Sequence, residues 1–316
     1  ICGSDSRSYQ RGSPPGNLPI PRVLGHEFAG QVAELGEGVQ GFQIGERVAA
    51  APATACGECF YCRRGSPTLC LNALDFGTTH NGAQAEYVLI PALLVAQEGL
   101  VKLPEEISYE RAALLEPVGT CVRGLRTQGQ LQKGETVVVI GDGALGLIQV
   151  ALASHLGAGK VICAGHHEER LAQARRWGAQ ITVNTHQEAL LPIVRDVTEG
   201  MGADLVMVSV PNAQALQEGL PLVRGGGRLV VFGGVPRGST VPIEPNLIHY
   251  GELHVIGTFN CTVEEFREAL DIAKGLPLEE LVTHRVPLAQ ILDGYQLMGE
   301  KAALRVLVDI GSEIMK

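Results

Sequence analysis

Four cysteines, Cys56, Cys59, Cys62 and Cys70, fall within fifteen consecutive positions of a 316-residue chain. Their spacing puts four soft thiolates on one glycine-containing loop, which is what a closed tetrahedral zinc site needs. Such a site has no open position, so its zinc would be structural rather than catalytic. An iron–sulfur cluster and plain core thiols are the competing readings. Arg63, Arg64 and the lack of a fifth nearby cysteine weigh against the first, and the polar surroundings against the second.

A second constellation is Gly141, Gly143 and Gly146, spaced Gly-x-Gly-x-x-Gly, with Leu145 inside it. It sits between a β-branched run and an apolar helical pattern, where backbone N–H groups and a helix N-terminus can meet a pyrophosphate. About twenty residues on, an acidic side chain would take the adenosine ribose hydroxyls. Here the chain reads Gly165-His166-His167, with Arg170 a turn later. Imidazoles and a guanidinium without a carboxylate fit a 2′-phosphate, so NADP is favoured over NAD. The plainer reading leaves His166 and His167 as solvated loop residues and puts Arg170 on the ribose.

These residues need elements to hold them. Residues 136–158 are long and apolar enough to be weighed as a membrane span, but Asp142 and four glycines split them into a strand, Thr136 to Ile140, and a helix from Ala144 to about Leu156. The alternation continues with strands over Lys160–Ala164, Ile181–Val183, Asp204–Val208 and Arg228–Phe232. Between them lie helices over Glu168–Trp177, Gln187–Glu199 and Asn212–Val223. Strand and helix in alternation predict a doubly wound parallel sheet. After Leu253–Ile256, Thr262 and Glu265 form a capping-box start for a helix that leaves the sheet unit. Residues 1 to about 110 read as mostly β, with short runs at Gln31–Ala33, Arg47–Ala51 and Ala85–Ile90 and little helix signal before Ser108. The tail carries a short helix near Ala289–Met298 and a strand over Leu304–Ile310, and is expected to pack on the first unit. No repeat or low-complexity linker is visible, so a close interface between the units is expected.

Composition narrows the function. With 45% apolar and 19% charged residues the chain is too hydrophobic to be a disordered tail. Its net charge of −9, without a basic run, gives no footprint for nucleic acid or an anionic membrane, so a small-molecule substrate is expected. The chain opens at Ile1 without an initiator Met, basic n-region or apolar h-region and reads as truncated rather than targeted. Clustered cysteines in a long chain favour a reducing compartment, hence a cytoplasmic location.

Three further stretches join these motifs: Ile1-Cys2-Gly3-Ser4-Asp5, Gly25-His26-Glu27 and Glu116-Pro117. With the cysteine loop and the dinucleotide motif they resemble the zinc-dependent medium-chain dehydrogenase/reductase family, nearest its polyol (sorbitol) and threonine dehydrogenase branch. Asn81-Gly82-Ala83 before Ala85-Glu86-Tyr87-Val88, and Leu281 to Arg285, add to the resemblance, which covers nearly the whole chain. It implies an α/β protein: a GroES-like, mostly β catalytic domain over residues 1–118 and 261–316, lacking some tens of residues ahead of Ile1, and a Rossmann domain over 119–260, with the active site between them. Missing strands there would leave unpaired edges near Cys2.

Carried over residue by residue, the resemblance implies two zinc ions per chain. Cys2 and His26 would ligate the catalytic one, with Glu27 as third ligand or an alternate exchanging with water, and Glu116 holding the bound water or joining the ligands. Liver-type alcohol dehydrogenases use a second Cys where Glu116 stands, which favours the polyol branch. Asp5 would fix the His26 tautomer, Ser4 would bond the substrate oxygen and pass its proton outward, and Phe259 would lie beside the nicotinamide. Arg7 replaces a relay His of many relatives, and Asn260 an Arg of sorbitol-type members. The implied activity is hydride transfer between a secondary alcohol, such as a polyol, sugar alcohol or amino alcohol, and NAD(P). L-threonine dehydrogenation, or a silent binding protein that kept the fold, are the alternatives. A homodimer or homotetramer built through the strand near Leu253–Gly257 is expected by analogy.

Overall fold

In the computed structural model, which describes residues 1–12 and 21–311, the β-branched runs of the second half line up as one parallel sheet. Positions 13–20 and 312–316 of the expected catalytic domain lie outside the described residues. The chain divides into two units, Ile1–Gly119 with Cys261–Lys316, and Thr120–Asn260.

In the first unit, α1 (Gly3–Arg11) leads to β1 (Ala29–Gln31) and β2 (Arg47–Ala50). Then come β3 (Ala53–Thr54), β4 (Leu74–Asp75), α2 (Ala92–Ala96), β5 (Leu100–Lys102) and α3 (Tyr109–Ala112). β1, β2 and β5 form an antiparallel sheet and β3 and β4 a two-stranded ribbon. α4 (Leu115–Val122) leads into the second unit.

There β6 (Thr136–Ile140), α5 (Ala144–His155), β7 (Lys160–Gly165), α6 (Glu168–Arg176) and β8 (Ile181–Asn184) follow in turn. They continue with α7 (Leu190–Val197), β9 (Ala203–Val208), α8 (Ala213–Gly219), β10 (Val223–Val231), α9 (Pro245–Gly251) and β11 (His254–Gly257). The sheet order β8-β7-β6-β9-β10-β11 reverses direction between β6 and β9, the switch point outside which doubly wound sheets bind ligands. Val138, Ile162, Val206 and Leu229 are wholly buried within the sheet's core. Each such side chain contributes about 1.5–3 kcal/mol. The apolar run 136–158 thus divides into β6 and α5, and no described helix is long and apolar enough to cross a membrane.

The chain then returns to the first unit. α10 (Val263–Ala273) starts on the Thr262–Glu265 capping box, with Glu265 accepting from Thr262 N at 2.8 Å. α11 (Ile291–Gly299) lies between β12 (Val282–Pro287) and β13 (Arg305–Asp309), which pair in parallel around Val286 and Val306.

Several expectations need correction. Little helix is expected before Ser108, yet Cys2 caps α1: it is extended (φ −81°, ψ 152°), its N–H donates to Asp5 Oδ2 at 3.3 Å, and Gly12 ends the helix at φ +67°. Residues 85–90 join no ladder, and Tyr87 and Leu89 point to solvent. The first strand lies at Ala29–Gln31, two residues early. α7 is shorter than expected because residues 187–188 turn back onto the Asn184 carbonyl. Pro221 converts the end of the expected 212–223 helix to a 3-10 turn over Leu220–Leu222. β10 begins early, its register to β9 shifting across the Gly225–Gly227 run. β12 was read only as a family-like stretch, not as a strand.

Candidate functional site

The cysteine loop brings its four thiols together. Cys56 Sγ lies 3.5 Å from Cys70 Sγ and 4.0 Å from Cys62 Sγ, and Cys59 Sγ lies 3.5 and 3.9 Å from those of Cys62 and Cys70. A tetrahedron with Zn–S bonds of about 2.3 Å has edges of about 3.8 Å, so the set fits zinc. Two 3-10 turns, Cys62–Arg64 and Pro67–Leu69, fold the loop, and the N–H groups of Cys56 and Asn72 donate to Cys70 Sγ. Backbone donors at Cys62 and Leu71 lower the Cys59 thiol to about 6. Burial, and sharing of the proton with Cys59, raise Cys62 to about 12.

The second cluster is assembled from three parts of the first unit. Helix α1 supplies Cys2, Ser4 and Asp5. The Gly25 turn (φ +99°) supplies His26 and Glu27, and residues 82–84 brace it by donating to the carbonyls of Val23, Gly25 and Leu24. A Cβ at Gly82 would come within 2.3 Å of the Gly25 oxygen, so only glycine permits this brace. Strand β13 supplies Arg305, and Ile1 N donates to Val306 O at 2.7 Å, which seats α1 beside it.

One ligand atom each from Cys2, His26 and Glu27 lies within 4.8 Å of the other two. Asp5 Oδ1 is 3.3 Å from His26 Nδ1, which leaves the other ring nitrogen for a metal. Arg305 Nη1 donates to both Glu27 oxygens, at 2.9 and 3.1 Å, and the two side chains are only 5% and 6% exposed. A thiol, an imidazole and a carboxylate are three protein donors, which leaves one position of a tetrahedral zinc for substrate. Glu116, on α4 and half-buried, stands outside this 4.8 Å group but close enough for its carboxyl to feel His26, Glu27, Cys2 and Arg305. Ser4 is half-buried on the first turn of α1, and Arg7 is exposed.

The charges are strongly interdependent. Burial opposes ionisation of Cys2, and Glu27 adds to that, but His26 and Arg305 bring the thiol below its ordinary value. Burial would depress His26, yet Asp5 and Cys2 hold it well above the usual imidazole range. Burial opposes the Glu27 anion and Arg305 overrides it, whereas burial together with Glu27 and Cys2 drives Glu116 well above the carboxylate range. Arg305 was not singled out from the sequence. Its one signal was a cation opening the otherwise apolar run Val306-Leu307-Val308.

In the second unit, Gly141 has φ +128°, and Gly143 caps α5 with open space where a Cβ would stand. A pyrophosphate fits such a cradle. A Cβ on Gly146 would come within 1.9 Å of the Gly141 oxygen, so α5 packs against the turn only with glycine there. Gly146→Ala is therefore expected to weaken NAD(P)H binding at least tenfold in a fluorescence titration, with far-UV circular dichroism nearly unchanged. Leu145 is half-buried on α5 and its carbonyl accepts from Cys121 Sγ, while Phe259 is 66% exposed after β11. Asn260 is left-handed (φ +58°), a conformation asparagine tolerates better than arginine.

Asp142, unremarked as a site residue, organises the next turn. Its buried Oδ2 accepts from the N–H groups of His166 and His167, at 2.9 and 2.8 Å, and lies 3.0 Å from His167 Nδ1. Burial opposes its ionisation, but these donors lower its pKa. A Cβ on Gly165 would meet the Asp142 carboxyl at 2.4 Å, which is why no acidic side chain stands there. Arg170 is half-buried on α6.

Residues 1–105 match the family described as alcohol dehydrogenase GroES-like domain, and residues 144–275 the one described as zinc-binding dehydrogenase. The chain is 32% identical to D-arabitol-phosphate dehydrogenase of Enterococcus avium, over 99% of this chain and 88% of that protein. It is 33% identical to L-threonine 3-dehydrogenase of Pseudoalteromonas atlantica, over 98% of this chain and 89% of that one. Among solved structures, the alcohol dehydrogenase TADH of Thermus sp. ATN1 superposes with a TM-score of 0.86 at 35% identity, covering 98% of this chain and 90% of that chain.

Proposed function

The chain belongs to the zinc-type medium-chain alcohol dehydrogenase family, and on that premise we propose that it moves a hydride between the secondary hydroxyl of a polyol, sugar alcohol or amino alcohol and NAD(P). The observation that carries the reading is the convergence of Cys2, His26 and Glu27, with Asp5 behind the imidazole and Arg305 behind the carboxylate. Two zinc ions per chain are proposed, one on this set and one on Cys56, Cys59, Cys62 and Cys70. At the first, zinc supplies Lewis acidity that eases deprotonation of an alcohol, and the dinucleotide is the hydride acceptor.

The protein's own groups do the rest. Asp5 fixes the His26 ring, and Arg305 holds Glu27 back as an alternate ligand. Glu116 stays close enough to take or return a proton. Ser4 orients the substrate hydroxyl and passes its proton outward. Gly141, Gly143 and Gly146 seat the pyrophosphate with Leu145 beside them, and Phe259 covers the nicotinamide. His166, His167 and Arg170 favour a 2′-phosphate, hence NADP over NAD. The eight thiols, all free of disulfides, suit a cytoplasmic location. The edge strand β11, with Val255 41% exposed, suits pairing into a homodimer or homotetramer.

The likeness to L-threonine 3-dehydrogenase favours threonine as a second reading. Reduced-cofactor absorbance with a panel of polyols, polyol phosphates and L-threonine, each with NADP and NAD, separates the two. Turnover on a polyol with NADP at the higher kcat/KM is expected, and no turnover on any alcohol or carbonyl would sink the proposal. Metal analysis is expected to find two zinc per chain, and Cys59→Ser to lose one while turnover persists.

A further inference from the structure

We propose that Asp142, His166 and His167 form a third metal site, one for a divalent late transition ion of the Zn2+, Ni2+ and Cu2+ class, apart from both cysteine-containing clusters. One ligand atom from each lies within 4.8 Å of the other two, and the imidazole rings of His166 and His167 are 4.1 Å apart. His186 stacks on His166 at 4.8 Å, with ring planes 20° apart. Imidazole with one carboxylate selects these ions over Mg2+ or Ca2+, which prefer all-oxygen sites.

A helix N-terminus ordinarily repels a cation, and this cluster lies at the start of α6. Asp142 removes the objection. Its carboxylate accepts from the N–H groups of His166 and His167 that would otherwise face the ion, and its charge is opposite to the ion's. Glu168 and Glu169 in the first turn of α6 add to that charge. Packing holds the carboxylate in place, because it occupies the space that a Cβ at residue 165 would need. His167 Nδ1 lies 3.0 Å from Asp142 Oδ2, a hydrogen bond that an ion ligated by both atoms would replace.

A consequence follows if the adenosine ribose lies over Gly165–His167, a point that rests on the cofactor reading above. Metal and dinucleotide then exclude one another, and surplus metal inhibits the enzyme competitively with NAD(P). The test titrates wild-type enzyme and the His166→Asn/His167→Asn double variant, each holding two zinc per chain and freed of surplus metal, with Ni2+ by calorimetry. The wild type is expected to bind one Ni2+ more than the double variant, and Asp142→Asn, which loses the carboxylate ligand, to bind that ion at least about tenfold more weakly. Equal stoichiometry and affinity in wild type and double variant would overturn the site. Cu2+ on the unmodified enzyme provides a readout that needs no variant: as the tighter-binding ion it should displace the extra Ni2+ and show imidazole nitrogen hyperfine structure in its paramagnetic resonance, and the absence of that structure also overturns the site. NADPH fluorescence titrations with and without Ni2+ then test the ribose placement. If the extra ion binds but NADPH affinity does not change, the metal site stands and the cofactor reading fails.

Discussion

Replacing Cys2 with Ala is expected to lower kcat/KM by about a thousandfold or more and to remove one zinc per chain, while NAD(P)H still binds. The thiol opens the set that converges on His26 and Glu27, and its partners cannot compensate for its loss: His26 is braced by Asp5 and Glu27 is held by Arg305. A bound metal's Lewis acidity is worth several kcal/mol of barrier, and each 1.36 kcal/mol is tenfold, hence the thousandfold figure. The glycine turn and β7 lie in the other unit and share no residue with the change, so dinucleotide binding serves as a control for folding. Steady-state kinetics, zinc analysis and cofactor fluorescence on the same preparation check it. A variant that lost a zinc yet kept near-normal turnover would show that Cys2 does not carry the chemistry.

The second unit was legible because its signals are local. A β-branched run, a glycine turn and an apolar helix follow one another in β6 and α5, and Thr262 with Glu265 announces α10 within four residues. The cysteine loop was legible because its ligands are near in sequence and chemically unambiguous. Helix α1 escaped because its buried positions are Asp5, Ser6 and Ser8, so no apolar stripe marks it. A helix folded around a polar site hides from any reading based on hydrophobic period. The run at 85–90 misled for the opposite reason. Its side chains alternate like a strand's, but Tyr87 and Leu89 face solvent and no ladder partner meets the backbone. Asp142 escaped because it fills a variable position of the glycine motif, and its partners, His166 and His167, lie on the next strand's turn.

Arg305→Leu is expected to destabilise the protein by about 3–5 kcal/mol, the usual cost of stranding one partner of a buried ion pair. That corresponds to a melting temperature lower by roughly 10 °C for a unit of this size. Arg305 is 278 positions from Glu27, so only the fold brings them together, and both side chains are almost fully buried. Leucine would leave Glu27 facing Glu116 and Cys2 without a cation of fixed charge, since His26 is already committed to Asp5. The pH dependence has a definite sign. Arg305 holds the folded pKa of Glu27 below its ordinary value, so the pair stabilises the protein above the carboxylate range and that contribution is lost as pH falls through the folded value. The gap between wild type and variant should therefore be widest at neutral pH and narrow on acidification. Removing both charges with Glu27→Leu/Arg305→Leu should recover much of the loss, because a matched apolar pair leaves no stranded ion. Thermal melts of the wild type, Arg305→Leu, Glu27→Leu and the double variant across a pH series measure this. A double variant as unstable as the sum of the single changes, or a gap constant with pH, would show that Arg305 acts through β13 packing instead of through Glu27.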